Sequence, residues 1–320
     1  MSLSSTSFLT ESLDPTEMGS EFTAADARFC WLDQGVLSIE PNQPSELPAA
    51  ILTVGVHGNE TVPIRLVDHW LRELCAGSTP ISRPLLILLG NPEAVKIGER
   101  FVEHNLNRLF SVASADATAP ECRRAVTLMG WVQQFIERHP DGLHFDMHST
   151  IKGSDQDRFA IIPDACQGRN LNNLLSWFKH FRVDAWVQNI SPAATFSSFT
   201  ANLGYQSATL ELGQVSTLND PIDRFLPLVD ELNRLAYGAG GVCEHEPTGF
   251  HVVREILKSE GEFDVCLENF VNFRRLPMGT LIARGAFEEW RIEQEGDALL
   301  FLNPAVPVGH RVALVIRALA

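Results

Sequence analysis

Ala49-Ala50-Ile51-Leu52-Thr53-Val54-Gly55-Val56, followed at once by His57-Gly58-Asn59-Glu60, is the stretch on which the fold turns. Its opening run is apolar almost throughout, as in a strand buried on both faces of a sheet. The segment from Thr61 to Leu74 is amphipathic and has Pro63 in its first turn, where a missing N–H is tolerated. A buried strand passing through a short polar turn into a helix is the repeating unit of an α/β layered protein. The carboxyl end of such a strand is where these sheets place their sites.

Working outward, Val36 to Ile39, Leu85 to Leu89, Leu143 to Met147 and Ala208 to Leu212 read as further strands. Ala125 to Arg138, Leu171 to Phe181 and Ile222 to Ala236 have helical periodicity. Strands alternating with helices predict an α/β domain with a mixed, mostly parallel sheet flanked by helices. Gly238 to Gly241 interrupts that pattern. Beyond it, Phe250 to Ile256, Thr280 to Ala283, Ala298 to Leu302 and Arg311 to Ile316 are short apolar runs separated by Gly and Pro. The expected division is a larger unit over residues 1–241 and a smaller, mainly β domain over residues 242–320.

The chain of 320 residues, 45% of them hydrophobic, is long enough to bury a core without disulfides or a structural metal. Its formal net charge of −15 and the absence of a Lys/Arg run argue against nucleic-acid binding. The same charge opposes a small anionic ligand at long range, so such a ligand requires arginines that reverse the field locally. Cys30, Cys75, Cys122, Cys166, Cys243 and Cys266 form no C-x-x-C pair, as expected of reduced thiols in the cytoplasm. Met1 to Phe22 lacks the basic and apolar regions of a signal peptide. No apolar run approaches the ~18–20 residues of a membrane helix, so no membrane partner is expected. Self-association into a homo-oligomer is left open.

Four segments carry candidate chemistry. His57 and Glu60, three apart across a strand-to-helix turn, suit convergence on one ion. In Phe145-Asp146-Met147-His148-Ser149, strand alternation puts His144, Asp146 and His148 on one face, with His148 at the strand end as a third ligand. His57, Glu60 and His148 would then form a His₂Glu zinc site with an open position; the bland alternative is a strand with two surface histidines. Glu211 in Thr209-Leu210-Glu211-Leu212-Gly213 is a carboxylate inside an apolar strand. Such a group is either buried, with a raised pKa suited to a general base, or directed outward and solvated. Arg100, Asn107 and Arg108 supply guanidinium and amide groups suited to carboxylates and oxyanions.

Taken together, these segments resemble the succinylglutamate desuccinylase/aspartoacylase family, itself related to zinc carboxypeptidases. The matching text is Gly55-Val56-His57-Gly58-Asn59-Glu60, Gly90-Asn91-Pro92, Arg100, Asn105-Leu106-Asn107-Arg108-Leu109-Phe110, Asp146-Met147-His148-Ser149 and Leu210-Glu211-Leu212-Gly213. Asn269-Phe270-Val271-Asn272-Phe273 and Gly279-Thr280-Leu281-Ile282-Ala283 are similar as well. The resemblance implies a zinc-carboxypeptidase-like fold and one Zn²⁺ per chain, held by His57, Glu60 and His148. It also implies Glu211 as general base and acid, Arg100 polarising the scissile carbonyl, and Asn107 with Arg108 gripping a carboxylate of a small anionic N-acyl amino acid.

Within the family, aspartoacylases use a further arginine shortly before the catalytic Glu and a tyrosine from the C-terminal domain. Ala201 to Leu210 contains no Arg, and the only tyrosines, Tyr205 and Tyr237, precede the β region. Chain length and the opening Gly35-Val36-Leu37-Ser38-Ile39 resemble the desuccinylase branch, which releases succinate and glutamate in arginine catabolism. Such a substrate carries three carboxylates, and Lys152 and Arg158 are the candidate further cations. An aspartoacylase-like deacylase, a peptide carboxypeptidase and a non-catalytic zinc-binding protein are the competing readings.

Overall fold

A computed structural model describes residues 7–15, 18–43, 46–77, 79–111, 118–214, 222–238 and 243–319. Its strands are β1 (Glu21–Ala24), β2 (Ala27–Asp33), β3 (Val36–Pro41), β4 (Ala49–Val54), β5 (Leu85–Leu89), β6 (Gly142–Thr150), β7 (Phe159–Ile162) and β8 (Ala185–Gln188). They continue with β9 (Gln206–Gln214), β10 (Thr248–Leu257), β11 (Phe263–Val265), β12 (Leu281–Gly285), β13 (Glu289–Arg291), β14 (Ala298–Leu300) and β15 (Arg311–Ala318). The α-helices are α1 (Phe8–Leu13), α2 (Thr61–Ala76), α3 (Pro92–Ile97), α4 (Pro120–Arg138), α5 (Asn172–His180), α6 (Phe196–Asn202) and α7 (Pro227–Tyr237). Among the described residues no helix is long and apolar enough to cross a membrane.

The central sheet is mixed, in the order β1-β2-β3-β5-β4-β6-β9-β7-β8-β10-β15-β14. Its middle, β5-β4-β6-β9, is parallel throughout, and antiparallel pairings flank it. Every residue of β4, β5 and β6 is buried, which accounts for the apolar text of β4 and β5; β6 buries His144, Asp146 and His148 among its apolar residues. Alternation divides β4 between two cores: Leu52 and Val54 pack with Trp70 of α2 and Phe178 of α5, whereas Ile51 packs with Leu128 and Phe135 of α4. Helices therefore cover both faces, as the sequence pattern predicts.

The expected strands and helices occur close to their predicted bounds. Additional elements are β1, β2, β7, β8, β11, β13, α1, α3 and α6, which are short or lie at mixed-polarity positions that a periodicity argument passes over. The C-terminal region is mainly β, and most of it continues the central sheet: β10 pairs parallel with β8, and β15 and β14 follow antiparallel. β11, β12 and β13 form a separate three-stranded sheet. Of the glycine-rich break, residues 239–241 lie outside the described residues; Gly238 closes α7 in a left-handed cap (φ 68°). That conformation favours glycine.

Candidate active site

The parallel order β4-β6-β9 places three strand ends side by side. His57 and Glu60 lie on the turn after β4, and Glu60 is the N-cap residue of α2. His148 lies near the end of β6, and Glu211 of β9 is its direct cross-strand partner. Gly58 holds the turn in place by its lack of a side chain: a Cβ there would overlap the backbone of Ala94 and Val95 in α3. The glycine thus serves a close backbone approach between two elements.

One nitrogen or oxygen from each of His57, Glu60 and His148 comes together within 4.8 Å, and all three residues are buried. Glu60 Oε1 is 2.8 Å from His57 Nδ1, and Glu60 Oε2 is 2.9 Å from His148 Nδ1. The two Nδ1 atoms are 3.2 Å apart. Asn105 Oδ1 accepts the Asn107 backbone N–H at 3.0 Å and faces His57 Nε2 at 3.0 Å. An amide oxygen that accepts one N–H is an acceptor to its other neighbour, so His57 donates through Nε2 and turns the lone pair of Nδ1 inward. His148 Nε2 lies 3.1 Å from the Asp146 carboxylate. Two imidazole nitrogens and a carboxylate packed at these separations need a proton or a metal ion between them. Outer partners that fix ring orientation are the usual companions of metal-ligating histidines. The three residues therefore fit a bound metal ion.

Electrostatics agree with this geometry. Burial would raise the Glu60 carboxyl, but His148 and His57 outweigh it and hold the group well below the usual carboxylate range. Burial would lower His148, yet Asp146 and Glu60 raise it well above an ordinary imidazole. A cation bound by the triad takes the place of that proton. Glu211 behaves oppositely. Burial pushes its carboxyl up to about 7, with Glu60 and Asp146 adding and His148 and Arg100 opposing. Its Oε2 is enclosed without a hydrogen-bond partner, as befits a group that exchanges a proton with a bound ligand.

The loop after α3 supplies the other candidates. Glu121, at the start of α4, accepts Asn91 Nδ2 at 3.1 Å and the backbone N–H of Val102 at 2.7 Å. It also accepts from Glu103 and His104, both at 3.3 Å. Asn105 caps the turn Leu106–Arg108 through its bond to Asn107 N. Phe110 stacks on Phe196 of α6 with centroids 4.0 Å apart. Asn107 Oδ1 accepts Phe196 N–H at 3.0 Å, which leaves Nδ2 facing His148 Nε2 at 3.4 Å. Arg100 Nη1 contacts Glu60 Oε1 at 2.8 Å.

The triad, Glu211, Arg100, Asn107 and Arg108 line one cleft of about 710 Å³, a volume suited to a small ligand. Arg108 lines it and donates to Asn107 O at 2.7 Å. Confinement in the cleft pushes its guanidinium down to about 10, with Arg311 and Arg100 adding. Lys152 lines the cleft and donates to Leu302 O at 2.7 Å. Arg158 is not brought there: its guanidinium lies over the Phe225 ring at 6.0 Å. Residue type alone does not reveal which of the two reaches the cleft. The histidines of β6 are buried, so the reading of two surface histidines is excluded. Arg311, Asn272 and Asn303, from the C-terminal region, also line the cleft. Composition singles out none of these three, because isolated polar residues between short strands are ordinary.

Residues 46–236 match the profile of the succinylglutamate desuccinylase/aspartoacylase catalytic domain. The chain belongs to the succinylglutamate desuccinylase/aspartoacylase family. Residues 245–319 match the family's AstE/AspA barrel-sandwich hybrid domain. A Pseudomonas paraeruginosa protein named succinylglutamate desuccinylase is 33% identical over 318 residues, covering 95% of this chain and 94% of the relative. One of the same name from Yersinia enterocolitica is 31% identical, covering 91% and 90% respectively. The crystal structure of a Vibrio parahaemolyticus protein titled as this desuccinylase superposes with a TM-score of 0.91 at 28% identity, covering 98% of this chain and 96% of that one. Membership makes the chain one of a family of hydrolases.

Proposed function

We propose that this protein hydrolyses N-succinylglutamate to succinate and glutamate, with one zinc ion held by His57, Glu60 and His148. The observation that carries the reading is the convergence of those three residues beside Glu211 in one cleft that Arg100, Arg108 and Lys152 also line. Relatives at 31–33% identity bearing the desuccinylase name support the substrate. A zinc ion in the triad supplies Lewis-acid activation of water and of the amide carbonyl.

Glu211 accepts a proton from the attacking water and returns it to the amine nitrogen as the C–N bond breaks. The hydroxyl stays on the carbonyl carbon, giving succinate and the free amine of glutamate. Arg100, which borders the triad at Glu60, stabilises the negative charge that develops on the carbonyl oxygen. Asn107 and Arg108 bind the α-carboxylate, and Lys152 binds a further one. In this reading residues 1–241 are the catalytic unit and residues 242–320 wall the cleft, in a cytoplasmic enzyme.

The test is succinate release from N-succinylglutamate, with and without a chelator, beside acetate release from N-acetylaspartate. The expected result is zinc-dependent turnover of the succinyl compound. Faster turnover of N-acetylaspartate refutes the substrate, and activity surviving complete metal removal refutes the mechanism.

A further inference from the structure

The cleft contains a cation that the catalytic half of the chain does not supply. Arg311 stands at the first position of β15 and enters the cleft from the C-terminal wall. Its carboxylate contact is Glu255 of β10, at 3.5 Å through Nη1, with the two side chains 30% and 24% exposed. A long, single-point, part-exposed ion pair is worth at most about 1 kcal/mol. A ligand carboxylate that engages both arms of the guanidinium therefore displaces Glu255 readily.

Position narrows the choice of carboxylate. Arg311 and Arg108 line the same cleft, and the Arg311 charge opposes that of Arg108; two arginines in one cleft are stabilised together by anions between or beside them. If Arg108 takes the α-carboxylate, the nearest other anion is the side-chain carboxylate of the same amino acid. The acyl carboxylate lies across the scissile amide. We propose that Arg311 is the receptor for the side-chain carboxylate of the amino-acid half, so the C-terminal region contributes selectivity for a dicarboxylic amino acid. This rests on the proposed function for the placement of Arg108. It assigns a role to a residue of the C-terminal wall, where sequence patterning points to none.

The experiment compares N-succinylglutamate with N-succinylnorvaline, whose side chain ends in methyl, on the wild type, Arg311→Ala and Arg311→Lys. Loss of a charge-assisted hydrogen bond corresponds to roughly 10- to 100-fold. Arg311→Ala is expected to lower kcat/KM for the glutamate compound by that factor, chiefly through KM, and to erase the preference over the norvaline compound. Arg311→Lys is expected to recover part of the preference. Equal losses on both compounds, or no loss on either, overturn the assignment.

Calorimetric binding of L-glutamate and L-norvaline to the zinc-loaded protein gives a second readout that needs no turnover. Tighter binding of glutamate that disappears in Arg311→Ala sustains the inference; equal binding of both by the wild type overturns it. A wild type that cleaves neither succinyl compound but retains the Arg311-dependent glutamate preference refutes the desuccinylase reading alone.

Discussion

His144 makes the stability of this protein depend on acid in a way that can be worked out beforehand. It is fully buried on β6, four residues before His148. Its Nε2 is 2.9 Å from Thr53 Oγ1 and its Nδ1 is 2.7 Å from Thr200 Oγ1. A neutral imidazole has one donor and one acceptor, and two hydroxyls satisfy both. Burial pushes the imidazole down to about 4 from an ordinary 6.5, with Asp146 opposing and His148 adding. At pH 7 the ring is neutral in both states and its contribution is complete. As pH falls below 6.5 the unfolded chain takes up a proton that the folded chain refuses, so stability declines until about pH 4, where both are charged. At about 1.4 kcal/mol per pKa unit, the full loss is about 3 kcal/mol, of which about 2 kcal/mol falls between pH 7 and pH 5.

The perturbation is His144→Gln, which still donates and accepts but does not titrate. Urea unfolding in the presence of a chelator, at pH 7 and pH 5, gives the free energy of each protein at each pH. Lost packing in the variant is a constant offset, and other titrating groups are common to both proteins. The wild type is expected to lose about 2 kcal/mol more than the variant over this interval. Parallel pH profiles would show that His144 is not held neutral, and would refute the reasoning.

Glu211→Ala should retain bound metal, read by elemental analysis, while kcat falls roughly 10²- to 10⁴-fold; near-normal turnover removes Glu211 from the mechanism. With the metal absent its carboxyl sits at about 7, and a bound cation moves it lower. The acid limb of the wild-type kcat/KM profile should therefore lie at or below neutrality, rising with pH, and an acid limb above pH 8 contradicts this. Arg108→Ala should act mainly on KM, because Arg108 lines the cleft without contacting the triad; unchanged KM and kcat remove its proposed role. Gly58→Ala should displace the turn from α3 and weaken metal binding along with the fold. Calorimetric zinc affinity and melting temperature measure this, and wild-type values for both would show that the close approach is dispensable.

Much of this architecture was legible in the chain itself. Apolar runs such as Leu85 to Leu89 encode their own strands, because burial on two faces favours apolar side chains there. The triad and Glu211 were readable as motifs because a polar residue within a few residues of a buried strand's end stands out against that apolar text. Tertiary structure alone determined which strands adjoin. The β4-β6-β9 order sets Glu211 opposite His148, and the packing of the rest of the chain puts Arg158 on Phe225, Lys152 in the cleft and Arg311 on its far wall. Periodicity reports which face of an element is buried; it carries no information about the partner across that face, because pairing is settled by the packing of the whole chain.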